Sequence, residues 1–539
     1  MRIIIIILLA GYISSFSQVN QIWTRRYNGP GNSYDEATSV AIDNTGYIYI
    51  AGGSTGAGSE LDYAVRKYNA DGGLIWTARY NGPGNSFDDA YLVKCDIQGN
   101  VYIGGASTGA GSGLDYCVVK YNSSGVLQWV YRYNGPGNLT DEVYSLQIDV
   151  NGNVYITGYS NGGSTMDDIC TIKLNSSGSA IWIKRVNGSA NNDDYGNSVV
   201  IDQHGNSYVT GAVTRSGSDL DYITIKYDTD GNMIWSAYYN GPGNGIDFPS
   251  SNAIDASGNI YVTGFSQGTA STAMDYCTIK YNNNGVLQWV SRYNGIPGGV
   301  DEAFNVVIDN YGYVYVTGNS EGNGSGDDYL SVKYNNNGVQ LWAARYNSEG
   351  NSDDYCNWIA VDQGGNVYVT GITGTGSFQD IATIGYDPYG NQIWVRIYNG
   401  TGNEFDSGNS LTVDNSGNVY VAGGSDNPNN TDFILIKYNS TIGINPEINQ
   451  KPSAFMLHQN YPNPFNAGTI IRLDIAEESP VKLIIYDVLG RELPYNYEHN
   501  LLPGTYEVTF DGSSYSSGIY YYRLITDRYT QTRSMILVK

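Results

Sequence analysis

The sequence predicts an all-β protein. We expect an eight-bladed β-propeller of four-stranded blades, closed by its N-terminal strand, followed by a small immunoglobulin-like β-sandwich. Three observations predict this. First, Trp23, Trp76, Trp129, Trp182, Trp235, Trp289, Trp342 and Trp394 recur at spacings of 52 to 54 residues, so most of the 539-residue chain is one repeat. Second, each unit holds four short β-rich runs separated by turn residues, and no unit shows a helical period. Third, the repeat begins on a Trp strand and ends after a fourth strand. The first strand is therefore free to complete the last blade, which removes the open junction of the ring.

The elements follow in order. Arg2, the apolar run from Ile3 to Ala10 and the stretch Ser15-Phe16-Ser17 read as a secretory signal peptide over residues 1–17. The run is too short to cross ~30 Å of hydrocarbon, and no later segment approaches ~20 apolar residues. Residues 18–439 are assigned to the propeller. In the unit at Trp76, strands are expected at Trp76–Tyr80, Ala90–Asp96, Val101–Gly104 and Asp115–Tyr121. Between them lie Asn81-Gly82-Pro83-Gly84-Asn85, the turn Gln98-Gly99-Asn100 and the Gly/Ser-rich loop Ser107–Gly113. Residues 440–453, with Gly443, Pro446 and Pro452, read as a linker. Residues 454–539 carry alternating strands expected at Thr469–Ile475, Val481–Asp487, Gly504–Asp511, Gly518–Ile525 and Thr530–Val538.

The net charge of −24 argues against nucleic acid as a partner, because phosphate binding needs Lys and Arg. Three histidines leave little for a multi-His metal centre. Cys117, Cys170 and Cys277 stand where other units have Ala64, Ile223, Leu330 or Ile434, and Cys95 stands where others have isoleucine. All are expected as buried free thiols. Residues 450–539 hold 8 basic and 9 acidic side chains, so nearly all of the charge belongs to the repeats.

Three aspartate rings recur. The first is Asp35, Asp88, Asp141, Asp193, Asp247, Asp301, Asp353 and Asp406. The second is Asp43, Asp96, Asp149, Asp202, Asp255, Asp309, Asp362 and Asp414. The third is Asp62, Asp115, Asp168, Asp221, Asp275, Asp328, Asp380 and Asp432. A group present in every blade reads as turn capping and ion pairing rather than catalysis. The first and third rings are expected on the long-loop face of the disc. A second acid follows the first ring in six units, as Glu36, Asp89, Glu142, Asp194, Glu302 and Asp354, so that face is expected to be strongly acidic. Calcium at these loop acids is the one cofactor hypothesis; Asp228-Thr229-Asp230-Gly231-Asn232 does not complete a 12-residue calcium loop.

Individual residues stand out where the repeat is broken. Trp358 replaces a recurrent serine, Lys94 and Gln147 replace small or aliphatic residues, and Phe248-Pro249 interrupts a loop. These are the candidate ligand-binding residues near the central channel; the alternative is packing drift between duplicated blades. No Gly-x-Ser-x-Gly, His-Glu-x-x-His or P-loop pattern occurs, and no catalytic residue is assigned.

Two resemblances follow from quoted motifs. Gly152–Gly158, Gly365–Gly371, Asp115–Asn122 and Asp275–Asn282 resemble bacterial β-propeller repeats of the SBBP type. That family is often described as seven-bladed, whereas this sequence holds eight units. Asn460-Tyr461-Pro462-Asn463-Pro464-Phe465-Asn466, Gly490-Arg491, Ser517-Gly518-Ile519-Tyr520 and Lys539 resemble the type A sorting domain of the type IX secretion system. That resemblance implies export through the periplasm, recognition by the outer-membrane secretion machinery, and release or attachment at the cell surface. The expected function is a secreted or surface-displayed, non-catalytic binding or structural module with a polysaccharide or protein ligand. A glycan-active enzyme using acids of the long-loop face, and a calcium-dependent adhesin, are the alternatives.

Overall fold

The computed structural model describes residues 19–439 except 270–272, 296–298 and 375–378. It also describes residues 454–539 except 461–462, 467, 478, 494–496, 502–503, 513–514 and 539. The expected signal peptide and linker, with Tyr461, Pro462 and Lys539, lie outside the described residues. The chain forms two compact units, Met1–Thr441 and Ile442–Lys539.

The first unit holds eight antiparallel sheets of four strands each. Blade one consists of Asp35–Ile42, Ile48–Thr55, Leu61–Tyr68 and Leu74–Tyr80. Blade eight joins Asp406–Val413, Val419–Asn427 and Asn430–Tyr438 to the N-terminal strand Gln21–Tyr27. The ring is therefore closed as expected, and each inner strand contacts the inner strands of both neighbouring blades. Strands run longer than the sequence reading by up to four residues, as in Val101–Thr108.

Local sequence explains the blade. The second and third strands are buried on both faces, and so read as nearly continuous apolar runs between neighbouring blades. The second-ring aspartate closes the first turn. Asp43 Oδ1 accepts the backbone N–H of Thr45 at 2.9 Å and of Tyr47 at 3.0 Å, while Gly46 supplies a φ of +84°. The 53-residue tryptophan period is an inter-blade contact. Trp76 Nε1 donates to the carbonyl of Ser123 in the next blade's turn, at 3.1 Å. A Cβ on Gly125 of that turn would stand 2.8 Å from the Trp76 ring, so glycine is required there.

Every inner strand also carries a β-bulge three residues after the buried aspartate, as at Thr38 between Ala37 and Ser39. The same register shift recurs in all eight inner pairs. A bulge turns its residue out of the strict alternation of the strand. Here it aims that side chain across the ring: Thr38 Oγ1 donates to the Ala90 carbonyl at 2.7 Å, and Asn357 Nδ2 to the Gly408 carbonyl at 3.0 Å. The recurrent serine one residue later caps the free inner-edge N–H of the next blade. Ser39 Oγ accepts from Val93 N at 3.2 Å, and Ser145 Oγ from Val199 N at 3.1 Å.

The second unit packs a three-stranded and a four-stranded sheet around one core containing Leu473, Ile485, Phe510, Tyr522 and Leu537. Two strands beyond the five expected are present, Met456–Leu457 and Tyr497–Leu501. The Asn460–Asn466 stretch ties to the last strand. Phe465 is buried and exchanges backbone hydrogen bonds with Ile536 and Val538, Asn463 Oδ1 accepts from Ile536 N at 2.8 Å, and Asn466 is exposed. Asn460 N donates to Tyr522 Oη at 2.8 Å. Gly490, at φ +76°, and Arg491, bonded to Asp487 at 2.7 Å, form one turn. Gly518 opens the next strand, and Tyr520 Oη donates to the Ser516 carbonyl at 2.7 Å.

Candidate functional site at the long-loop mouth of the channel

The first and third aspartate rings do not form an exposed acidic face. Asp35, Asp88, Asp141, Asp247, Asp301 and Asp406 are all 0% exposed. In blades four and seven the buried position belongs to Asp194 and Asp354, not to Asp193 and Asp353. Those two sit one residue earlier and instead accept backbone N–H groups of Asp167 and Asp327. The reason for burial is local. Asp88 accepts Gly82 N at 2.5 Å, Thr108 N at 3.1 Å and the Ser107 hydroxyl, which folds the Asn81–Asn85 loop over it. Burial pushes its carboxyl upward, against those bonds and the Arg132 charge.

The third ring is at most 8% exposed, and seven of its eight aspartates are paired with arginines. Arg132–Asp115 spans 2.7 Å, with parallels at Arg79–Asp62, Arg185–Asp168, Arg292–Asp275, Arg345–Asp328 and Arg26–Asp432. Blade four has Tyr238 and blade seven Ile397 where the other six place this arginine. In blade four Arg215 from a loop takes over, 3.2 Å from Asp221 and stacked 4.7 Å from the Tyr238 ring. Among the described residues, no group of three or more His, Cys, Asp or Glu side chains is placed to hold a metal ion.

The four ligand candidates do not converge. Phe248 is the second residue of its inner strand, Trp358 the fifth, and Lys94 and Gln147 the seventh. Five residues of strand separate roughly 16 Å, so Phe248 lies at the long-loop mouth and Lys94 and Gln147 near the opposite end. Trp358 packs partly buried against the core that contains Tyr368, Trp394 and Leu411. Burial lowers the Lys94 amine, and Lys94 and Gln147 line the inner strands of blades two and three. His204 belongs to a cavity of about 340 Å³ on the short-loop side, with Asp149, Asp202 and Tyr155.

Of the four, Phe248 alone belongs to a series of touching aromatic rings. At the mouth, blades two to five carry a continuous series of aromatic rings. Tyr91 and Tyr144 stand 6.5 Å apart, Tyr144 and Tyr159 5.5 Å, Tyr159 and Tyr195 5.9 Å, and Tyr195 and Phe248 6.0 Å. Phe248 stacks on Phe265 at 5.6 Å. Tyr91 and Tyr144 are bulge residues; Tyr195 and Phe248 each follow the buried aspartate of their blade. Tyr144 is 40% exposed, and the other rings are half-buried.

Three acids from consecutive blades line one end of this arc: Glu36, Asp89 and Glu142. The Glu36 carboxylate accepts from Ser407 and Asn409 of the preceding blade, both at 2.7 Å, and from Tyr34. Burial pushes Glu142 up, against hydrogen bonds from Tyr159, Tyr144 and Tyr91. Asp89, between them, is pushed up to about 7 by burial and then by the Glu36 and Glu142 charges. At the other side, Tyr195 forms a wall of a cavity of about 340 Å³ with Met166, Asn192, Asp193, Thr214, Asp219, Leu220 and Ile246. Met166 holds a left-handed φ of +59°, a conformation that costs energy for a non-glycine residue.

Sequence reasoning missed Tyr91, Tyr144, Tyr159 and Tyr195. The signal was available at two aligned positions, the residue after the buried aspartate and the bulge residue, which turn aromatic in consecutive units.

The fold and its rings define a closed β-propeller built from tandem repeats and carrying a separate C-terminal β-domain. Residues 22–58, 128–164, 181–212, 288–324 and 393–430 match the β-propeller repeat family of SBBP type, and residues 459–539 match the secretion system C-terminal sorting domain. Five segments of the propeller thus carry the SBBP-type repeat, and residues 459–539 form a secretion system sorting domain. It is 29% identical over 454 residues to an uncharacterized WD repeat-containing protein L264 of Acanthamoeba polyphaga mimivirus, covering 68% of this chain. The match spans 31% of that protein, so this chain corresponds to about a third of its length. Among solved structures it resembles Sqt1 from Chaetomium thermophilum, with TM-score 0.50, 8% identity, and coverage of 78% of this chain and 99% of that one. The polysaccharide lyase Uly1 is less similar, with TM-score 0.39, 11% identity, and 67% and 92% coverage. The first likeness speaks for the fold alone, and the second says nothing of activity here.

Proposed function

We propose that this is a secreted propeller displayed at or beyond the outer membrane, whose propeller is a non-catalytic binding module engaging its ligand at the long-loop mouth. Export would run through the periplasm, with the sorting domain read by the secretion machinery. The observation that carries the binding reading is the aromatic arc. Most blade positions repeat with little change, whereas across blades two to five adjacent units carry aromatic side chains that touch one another. Partly exposed aromatic rings beside polar groups suit ligand contact. A second reading, cleavage of a bound glycan, is favoured by one observation. Asp89, pushed up to about 7, keeps its proton in part at neutrality beside Glu142, the arrangement of an acid next to a base.

An array of extracellular glycans and proteins, probed with the full chain and with Tyr144→Ala, tests the proposal. A ligand retained by the first, lost by the second and recovered intact is the expected result. Recovery of a cleaved ligand would replace the binding module by an enzyme. Export is tested separately: deleting residues 454–539 is expected to leave the protein inside a host that has the secretion system, and surface display of the truncated chain would refute the route.

A further inference from the structure

Three features of the mouth narrow the chemistry of what it binds. The first is shape. The arc is a series of ring faces and edges continuous over four blades, which suits an extended chain rather than a single small molecule. Sugar rings offer C–H faces to such aromatics and hydroxyls to the groups around them. Tyrosine hydroxyls, Asn192 and Thr214 are the matching polar groups here.

The second feature argues against a peptide. An extended peptide gains affinity by pairing with a free strand edge. In blades one, two, four and five an N–H of the inner edge is already taken, because Ser410, Ser39, Ser145 and Ser198 cap those of Val40, Val93, Val199 and Asn252.

The third feature is charge. Glu36, Asp89, Glu142 and Asp193 border the arc, and the arginines beneath it are held by the third-ring aspartates. An anionic chain would meet carboxylates with no cation to answer it. The carboxylates of Glu36 and Glu142 are in turn engaged by hydroxyl and amide donors, so they are not bare sites for a cation.

From these features we infer that the arc takes an uncharged polysaccharide chain laid across Tyr91, Tyr144, Tyr159, Tyr195 and Phe248, an inference that rests on the binding reading above. The carboxylates orient the tyrosine hydroxyls toward the chain, and the cavity beside Tyr195 receives a residue of it.

Affinity electrophoresis of the full chain in native gels tests this, with mannan, laminarin or xyloglucan as uncharged probes and alginate or chondroitin sulfate as anionic ones. Tyr144→Ala and Tyr195→Ala remove rings from the arc, Tyr144→Phe keeps the ring, and Tyr311→Ala alters an exposed tyrosine in a short turn far from the arc. Thermal midpoints check that each variant folds. Retardation by at least one uncharged polysaccharide is expected, with dissociation constants raised about tenfold or more in both alanine variants and unchanged in Tyr311→Ala. Tyr144→Phe is expected to retain most of the binding.

Retardation by anionic chains alone overturns the inference. So does retardation by an uncharged chain that survives both alanine variants. If no gel retards the protein but a protein ligand from the array is lost in Tyr144→Ala, the glycan inference fails and the binding reading stands. No retardation and no ligand on the array overturns both.

Discussion

Asp89→Asn is expected to stabilise the propeller at alkaline pH far more than at acid pH. Asp89 is held at about 7 in the folded chain, against an ordinary value of 3.8. Between those values the folded state binds the extra proton, so stability falls as pH rises from about 4 through 7. At about 1.4 kcal/mol per unit, the penalty for an ionised Asp89 grows from roughly 0.5 kcal/mol at pH 4 to roughly 4 kcal/mol at pH 8.5. Asparagine keeps the shape of the protonated acid and carries no charge, so it removes that penalty. For cooperative unfolding of about 420 residues the entropy of unfolding is about 0.9 kcal/mol/K, which makes the gain about 4 °C at pH 8.5 and under about 1 °C at pH 4. Differential scanning calorimetry of the two proteins at both pH values reads this directly. Glu142→Gln serves as a control: removing one of the charges beside Asp89 is expected to shrink the benefit of Asp89→Asn. Equal midpoints at pH 8.5, or the same gain at both pH values, would show that Asp89 is already ionised at neutrality and would refute the electrostatic account of the mouth.

Three further outcomes follow from the rings and the core. Asp88→Ala leaves Gly82 N and Thr108 N without their buried acceptor and is expected to cost about 2–3 kcal/mol in denaturant unfolding; mass spectrometry should also show faster deamidation at Asn81-Gly82, whose glycine N–H is no longer held. Arg215→Ala is expected to destabilise as much as Arg132→Ala, by about 3 kcal/mol, because each leaves one buried third-ring aspartate unpaired, and a negligible loss for Arg215→Ala would disprove the substitution of one arginine for another. Cys117, Cys170, Cys277 and Cys356 are buried, with burial pushing each thiol up to about 12, so maleimide is expected to label none of them until denaturant is added, and reductant should leave the melting midpoint unchanged.

The blade is legible in the sequence because its determinants are short-range. Asp43 and Gly46 close their own turn, and Asp88 caps a loop that ends three residues before it. The resemblance of residues 459–539 to a sorting domain likewise rests on contiguous motifs, although what Phe465 and Asn463 do, holding the last strand, is visible only after folding. The site is a different matter. Counting acids suggested a charged face, but charge on paper does not say whether a carboxylate meets water or an arginine from a neighbouring strand. The repeat placed Asp193 in the first ring with Asp194 as the acid after it, but the backbone N–H groups of Gly188 and Thr214 select Asp194 for the buried position. Trp358 looked like a site residue because it was unusual, yet an unusual residue on an inner strand has a core to enter as well as a channel.

The amino-acid sequence by itself determined the number of blades and the closure by the N-terminal strand, since both follow from period, phase and local turn chemistry, and its contiguous motifs carried the resemblance that identified the two modules. The tertiary structure decided which repeated acids are hidden, where Arg215 stands in for the missing arginine of blade four, and that Tyr91, Tyr144, Tyr159, Tyr195 and Phe248 form one surface. Those residues come from four different units of the chain, and the bulge that aims two of them leaves no mark on the hydrophobic alternation. Contacts of that kind exist only once neighbouring blades are packed face to face.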